Sequence, residues 1–149
     1  MISIGIDLGG TNIAVGAVDE AGKIIGRANR PTGAQRPYNE VIRDMADKAP
    51  CVIVGRCADY VLRYRSPFRL FFYADIADRM ERCRKRNEEQ KSMNHDVLRK
   101  IITQTDKSRS RYYEFLSGQK WGAKENYDLC INTSSADTEK LLQCVISLL

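Results

Sequence analysis

Two stretches of this sequence carry residue types suited to phosphate chemistry. Near the start, Asp7-Leu8-Gly9-Gly10-Thr11-Asn12 follows an alternating apolar run. Two adjacent glycines let backbone N–H groups approach an anion closely. Thr11 and Asn12 add side-chain donors. Asp7 is a group that could hold a metal ion, or its water, beside a phosphate. A hairpin held in place by its glycines is the plainer reading of the same residues. The second stretch is basic. Residues 79–111 hold eleven Lys and Arg against five Asp and Glu, an excess of six in a chain whose net charge is +5. A cationic block in an otherwise near-neutral chain points to an anionic partner: a phosphate, a nucleotide or a nucleic acid. A solvated helix face is the alternative. Arg56 and Asp59 follow the apolar run Cys51–Val54, and open α/β sheets bind ligands at the carboxyl ends of such strands. Asp106, Arg109 and Tyr113 are spaced to share one helix face, which equally suits a surface pair worth about 0.2–0.5 kcal/mol.

The surrounding pattern says which elements must position these groups. Ile2, Ile4 and Ile6 alternate with small or polar residues, a strand signal over Met1–Asp7. Asn12–Val18 and Lys23–Ala28 read as two further strands of an antiparallel meander. Val41, Ile42, Met45 and Ala46 recur at helical spacing over Tyr38–Lys48, and Pro50 ends that helix. Cys51–Val54 is apolar without alternation, which suits a strand buried on both faces of a parallel sheet. A helix over Ala58–Tyr64 and a strand over Arg69–Tyr73 follow. Asp75 or Ala77 then starts a helix running to about Asn87. Asn94 is an N-cap for a long helix from His95 to Ser117, closed by Gly118. A strand over Tyr127–Ile131 and a closing helix over Asp137–Leu149 complete the pattern. From about residue 48 strands alternate with helices, which predicts crossovers and an open parallel sheet.

Composition narrows the function classes. The 149 residues are 43% apolar and 29% charged, with four Pro and ten Gly, which excludes collagen-like and wholly disordered chains. No apolar run approaches the roughly 20 residues needed to cross a bilayer. The first residues lack a basic stretch followed by an apolar one, so a signal peptide is not expected. Five cysteines, none spaced C-x-x-C, accompany a single His. That excludes a zinc pattern and predicts free thiols in a cytoplasmic setting, with no metal centre. Cys51, Cys130 and Cys144 lie in apolar sequence and read as small hydrophobes.

Two family resemblances sit on these motifs. Asp7 to Asn12, together with Pro31-Thr32-Gly33 and Gln35–Asp47, resembles the first segment of the ROK family of sugar kinases and repressors, in the actin/hexokinase-like fold. It implies that Asp7, Gly9, Gly10, Thr11 and Asn12 lie against ATP phosphates. From Val52 onward a different set appears: Val52-Ile53-Val54-Gly55-Arg56-Cys57-Ala58-Asp59, Asp106-Lys107-Ser108-Arg109, Tyr112-Tyr113, Gly118-Gln119-Lys120-Trp121-Gly122 and Asn126 through Ser134. This set is similar to the cytidylate-kinase-like family of P-loop nucleoside monophosphate kinases. The resemblance places Arg82, Arg84, Lys85 and Arg86 in a mobile lid. It makes Arg82, Arg86 and Arg109 the catalytic candidates that would stabilise a transferring phosphate. It assigns Arg56, Asp59 and Asp106 to the acceptor nucleotide. ATP and Mg²⁺ are the cofactors it implies.

The chain has no G-x-x-x-x-G-K-[ST] sequence, which in P-loop kinases supplies the phosphate-neutralising Lys and the Mg²⁺-holding hydroxyl. The expected fold is therefore α/β: an incomplete P-loop-kinase-like parallel sheet with helices, preceded by an N-terminal antiparallel β-meander of actin/hexokinase-like type. The expected division is residues 1–47 and 48–149. The expected function is a nucleotide-kinase-like protein that binds nucleotide phosphates, with catalysis in question because the P-loop is missing. A ROK-type ATP-dependent sugar kinase fragment and a non-enzymatic polyanion-binding protein are the alternatives. A nucleic-acid partner is disfavoured, since aromatic and basic residues do not interleave repeatedly.

Overall fold

The computed structural model describes residues 3–8, 12–21, 23–31, 37–48, 50–55, 57–134 and 136–148. The chain is α/β and divides into two compact units, 1–67 and 68–149.

The first unit is built on a four-stranded sheet. Strand β1 is Ser3–Leu8, β2 is Asn12–Val18 and β3 is Ile24–Pro31. They form the expected antiparallel meander, with Gly5 opposite Gly16 and Asp7 opposite Ala14. Strand β3 runs three residues beyond the predicted Ala28, because its ladder with β2 continues to the Asn12–Pro31 pair. Helix α1 is Tyr38–Lys48, the span its periodicity predicts. It leads to β4, Cys51–Val54, which pairs in parallel with β1. The sheet order is β3-β2-β1-β4.

Strand β4 departs from the expectation of burial on both faces. Val52 is 61% exposed and Val54 58%, whereas Ile53 packs beneath α1. As an edge strand covered on one face, β4 alternates like any half-buried strand. The predicted parallel sheet running from β4 through the later strands is likewise corrected: β4 joins the meander instead.

One face of this sheet is covered by α1 and by α2, Ala58–Val61. Val41 and Ile42 of α1 meet Ala58, Val61 and Leu62, with Ile13 and Ile53 packed against them. Ile42 is fully buried, and burial of such a side chain stabilises by about 1.5–3 kcal/mol. The helix predicted over Ala58–Tyr64 stops at Val61 and tightens into a 3-10 turn at Arg63–Arg65. Arg63 donates to the Tyr60 carbonyl at 2.8 Å. In a continuing α-helix that carbonyl would accept from Tyr64.

The second unit holds two parallel strands, β5 (Leu70–Tyr73) and β6 (Leu129–Asn132), paired Leu70 to Leu129 through Tyr73 to Asn132. Asp128 fastens their amino ends. Its carboxylate accepts from the Arg69 backbone N–H at 2.7 Å, Nε at 3.1 Å and Nη2 at 3.0 Å. These donors hold its carboxyl below the usual aspartate range. Phe71 sits edge-on to Trp121 at 5.4 Å and tilts against Tyr127 at 4.8 Å. Gly122 has φ +74°, and a Cβ there would lie 3.1 Å from the Phe71 ring.

Helix α3 is Ile76–Arg86, followed by the single turn α4, Glu88–Lys91. Helix α5 is His95–Ser117. It begins as its sequence predicts, with the Asn94 side chain accepting from Asp96 N–H at 2.8 Å, and it ends on Gly118 in the left-handed region. Met80 of α3 and Leu98 and Ile102 of α5 form a core with Ile76, Cys83 and Met93. Helix α6, Thr138–Ile146, is capped by the Asp137 carboxylate and is shorter than the predicted Asp137–Leu149. Cys51 and Cys130 are half-buried, and Cys144 on α6 is exposed. The exposed Leu142 and Ile146 show why: α6 leaves much of its apolar face uncovered.

Candidate phosphate-binding site

The carboxyl ends of β5 and β6 are laced by their own polar residues. Thr133 donates from its N–H at 2.8 Å and from its hydroxyl at 3.1 Å to the Tyr73 carbonyl. The Ser134 hydroxyl accepts from Asp75 N–H at 2.7 Å. The Ser134 N–H in turn donates to Asn132 Oδ1 at 3.0 Å. These bonds bring the start of α3 to the strand ends. An open α/β sheet binds its ligands at this edge.

Helix α3 then presents Arg79, Arg82 and Arg86 at i, i+3 and i+7, a single helical face. Arg82 reaches back to the strand ends. Its Nη1 lies 2.9 Å from Thr133 Oγ1, and its Nη2 donates to the Thr133 carbonyl. Arg79 reaches α5 instead. Its two terminal nitrogens bond the two oxygens of Asp106 at 2.5 and 2.8 Å, a bidentate pair on partly buried side chains. Asp106 and desolvation act on Arg79 in opposite directions, and the hydrogen bond wins, raising its pKa above the ordinary arginine value. Arg109, one turn along α5, stands 3.5 Å from the same carboxylate and is 62% exposed. Arg86 is exposed on the last turn of α3.

Of the residues singled out in the sequence, Arg82, Arg86, Asp106 and Arg109 all belong to this second unit. Asp106 and Arg109 come together, and through Arg79 they connect to the helix that carries Arg82. Tyr113, on the same face of α5, is 4% exposed and packs inward, whereas Phe115 is 87% exposed. Arg79 and Thr133 were not among the site residues read from the sequence. The signal for Arg79 was its spacing of three and seven from Arg82 and Arg86. No local signal ties Thr133 to Arg82, which lies 51 residues earlier.

The other candidates belong to the first unit. Asp7 is exposed on β1, between Ala14 of β2 and Val54 of β4. Asn12 opens β2 and is exposed. Asp59 lies in the first turn of α2 and is half-buried. Gly9, Gly10, Thr11 and Arg56 lie outside the described residues.

Arg82 donates to the hydroxyl and the carbonyl of Thr133, and both oxygens of Asp106 are engaged by Arg79. The guanidinium groups of Arg82 and Arg109 are donors of the kind that suit a phosphate. Among the described residues no three His, Cys, Asp or Glu side chains are grouped to hold a metal ion.

A sequence profile of the cytidylate kinase-like family matches residues 16–135, most of the chain. The chain belongs to the cytidylate kinase-like family. The match reaches back to residue 16, well before Val52, where the family motifs first become legible. A glucokinase from Thermotoga maritima is 43% identical over 58 residues, which make up 39% of this chain and 18% of that protein. The chain is also similar to the crystal structure of an uncharacterized protein from Eubacterium ventriosum ATCC 27560. The TM-score is 0.65 and the identity 27%, with 74% of this chain and 61% of that one covered. The chain thus spans less than two thirds of the length of each of these relatives. No helix among the described residues is long and apolar enough to cross a membrane.

Proposed function

We propose that this member of the cytidylate kinase-like family binds a nucleotide through its phosphates at the carboxyl ends of β5 and β6. The observation that carries the reading is Arg82, whose guanidinium is pinned by Thr133 at that edge. It stands one turn from the Arg79–Asp106–Arg109 cluster. Phosphoryl chemistry is mostly positioning and electrostatic stabilisation. Arginine serves it because its planar fork meets two phosphate oxygens at once.

In this reading Arg82 and Arg109 contact the phosphates directly. Arg86, exposed one turn beyond Arg82, closes on them from the end of α3. Arg56 and Asp59 would serve an acceptor nucleotide, and ATP is the nucleotide the family implies. The protein binds phosphates whether or not it turns them over, because the cationic groups do not depend on a P-loop. The partner is a phosphate-bearing small molecule in the cytoplasm.

The test is calorimetric titration of the chain with nucleoside mono-, di- and triphosphates, with and without Mg²⁺. Arg82→Ala removes a charged hydrogen-bonding group worth about 1.5–3 kcal/mol, so affinity should fall about ten- to a hundredfold. Unchanged affinity in a folded Arg82→Ala variant would sink the site.

The 58-residue similarity to a glucokinase supports a second reading, in which the β1–β2 hairpin with Asp7 and Asn12 takes ATP phosphates for sugar phosphorylation. That reading predicts glucose-stimulated ATP hydrolysis, sensitive to Asp7→Asn and indifferent to Arg82→Ala.

A further inference from the structure

Resting on the phosphate-binding reading, we infer that Arg79 is a positioning residue. By occupying both oxygens of Asp106, it leaves Arg109 available to a bound phosphate.

The geometry carries the inference. Asp106 has one negative charge and two basic neighbours. Arg79 takes both oxygens in fork geometry, at 2.5 and 2.8 Å. Arg109 is left at 3.5 Å from Oδ1, the oxygen that already accepts from Arg79. A separation of 3.5 Å lies beyond the usual N–H···O range of about 2.7–3.2 Å. The two arginines also differ in setting. The Arg79 and Asp106 side chains are 30% and 22% exposed, against 62% for Arg109. Arg79 immediately precedes Met80, and Asp106 follows Ile102 by one turn. Met80 and Ile102 share the α3–α5 core, so the pair is held by packing as well as by charge. The three groups together carry a net +1, and the unneutralised charge resides on the exposed Arg109.

The consequence is an exchange of low cost. A phosphate approaching Arg82 recruits Arg109 in return for one long contact to Asp106. Without Arg79, the freed Asp106 oxygens would draw Arg109 into a direct i,i+3 pair on α5, neutralising the charge the phosphate needs. Arg79 thus acts through Asp106, without touching the ligand.

The probe is inorganic tripolyphosphate, which presents phosphates and no ribose or base. Arg79→Met should weaken its binding about three- to tenfold, the size of coupling expected between contacting groups. The same substitution should have less than a twofold effect in an Arg109→Ala background, and likewise in an Asp106→Asn background, where no carboxylate remains to capture Arg109. Arg79→Lys, which offers one point of contact instead of a fork, should fall between Met and wild type. If Arg79→Met weakens binding equally in the Arg109→Ala background, Arg79 contacts the phosphate directly and the inference is overturned. No effect in the wild-type background overturns it too. Loss of tripolyphosphate binding in Arg82→Ala, with no coupling between positions 79 and 109, would leave the binding site standing and remove only this inference. Binding insensitive to Arg82→Ala would remove the site itself. Should Arg79→Met fail to fold, nitrogen NMR of the unmodified chain decides. Tripolyphosphate should shift and slow Arg109 Nε while leaving Arg79 Nε in place, and a shift confined to Arg79 refutes the proposal.

Discussion

Asp7 and Asp106 are aspartates whose sequence contexts both suit phosphate chemistry, and the fold treats them differently. Asp7 stands exposed on β1, in register with Ala14 of β2 and Val54 of β4. Asp106 is 22% exposed and bound through both oxygens to Arg79. The first unit is assembled by backbone ladders, which make no demand on side-chain charge. The second has a two-stranded sheet and relies on helix packing and on charged side chains crossing between elements. A site made of strand residues keeps its side chains independent, whereas a site made of packed helices couples them.

The largest effects belong to Ile42 and Leu98, the side chains fully buried among the described residues, one in each unit. Leu98→Ala and Ile42→Ala should each destabilise by about 2–5 kcal/mol. Amide hydrogen exchange should speed in α3 and α5 for Leu98→Ala, and in α1 and α2 for Ile42→Ala. If α3 keeps its protection in Leu98→Ala, the helices of the second unit do not depend on one another, and the contrast fails at its base.

Asp128 gives the next effect. It accepts three bonds from Arg69, and its side chain is about a third exposed. Discounted for that exposure, Asp128→Asn should cost about 1 kcal/mol, read as a lower denaturation midpoint at pH 7. Because its folded pKa is depressed, the stabilisation is full above the ordinary aspartate value of about 4. It is lost as pH falls through the lower folded value. An Asp128→Asn variant should lose that acid-sensitive step. A step of equal size in both proteins would assign it elsewhere.

The smallest effect tests the first unit. Arg65 pairs with Asp47 across α1 and the 3-10 turn, with a second contact of 3.1 Å. Both side chains are about half exposed, and such pairs are screened by salt and often contribute little. Arg65→Ala should leave the melting temperature unchanged at moderate salt. A clear drop would show that ionic contacts matter in the strand-built unit as well.

Much of this was legible in the residues. Helix α1 matched its apolar spacing from Tyr38 to Lys48, and α5 matched its caps at Asn94 and Gly118. The meander followed from alternation over β1 and β2. These signals are short-ranged: periodicity, a capping side chain, a glycine able to adopt positive φ. The C-terminal motifs also carried the resemblance to the family, and the basic block pointed to an anionic partner.

Partner choice was not legible. Nothing in Cys51–Val54 says that it joins β1 in parallel and leaves Val52 and Val54 exposed. An apolar run of four residues is compatible with either an edge or a central strand. Nothing near Asp106 says that Arg79, 27 residues earlier, will take both its oxygens in preference to Arg109 on its own helix. The elements and the cationic block of this chain were set along the backbone, since both arise from neighbours in sequence. The tertiary structure alone decided which strand β4 would meet and which arginine would remain exposed. Those outcomes depend on packing between segments far apart in the chain, where the α3–α5 core sets the reach of each side chain before charge can choose among them.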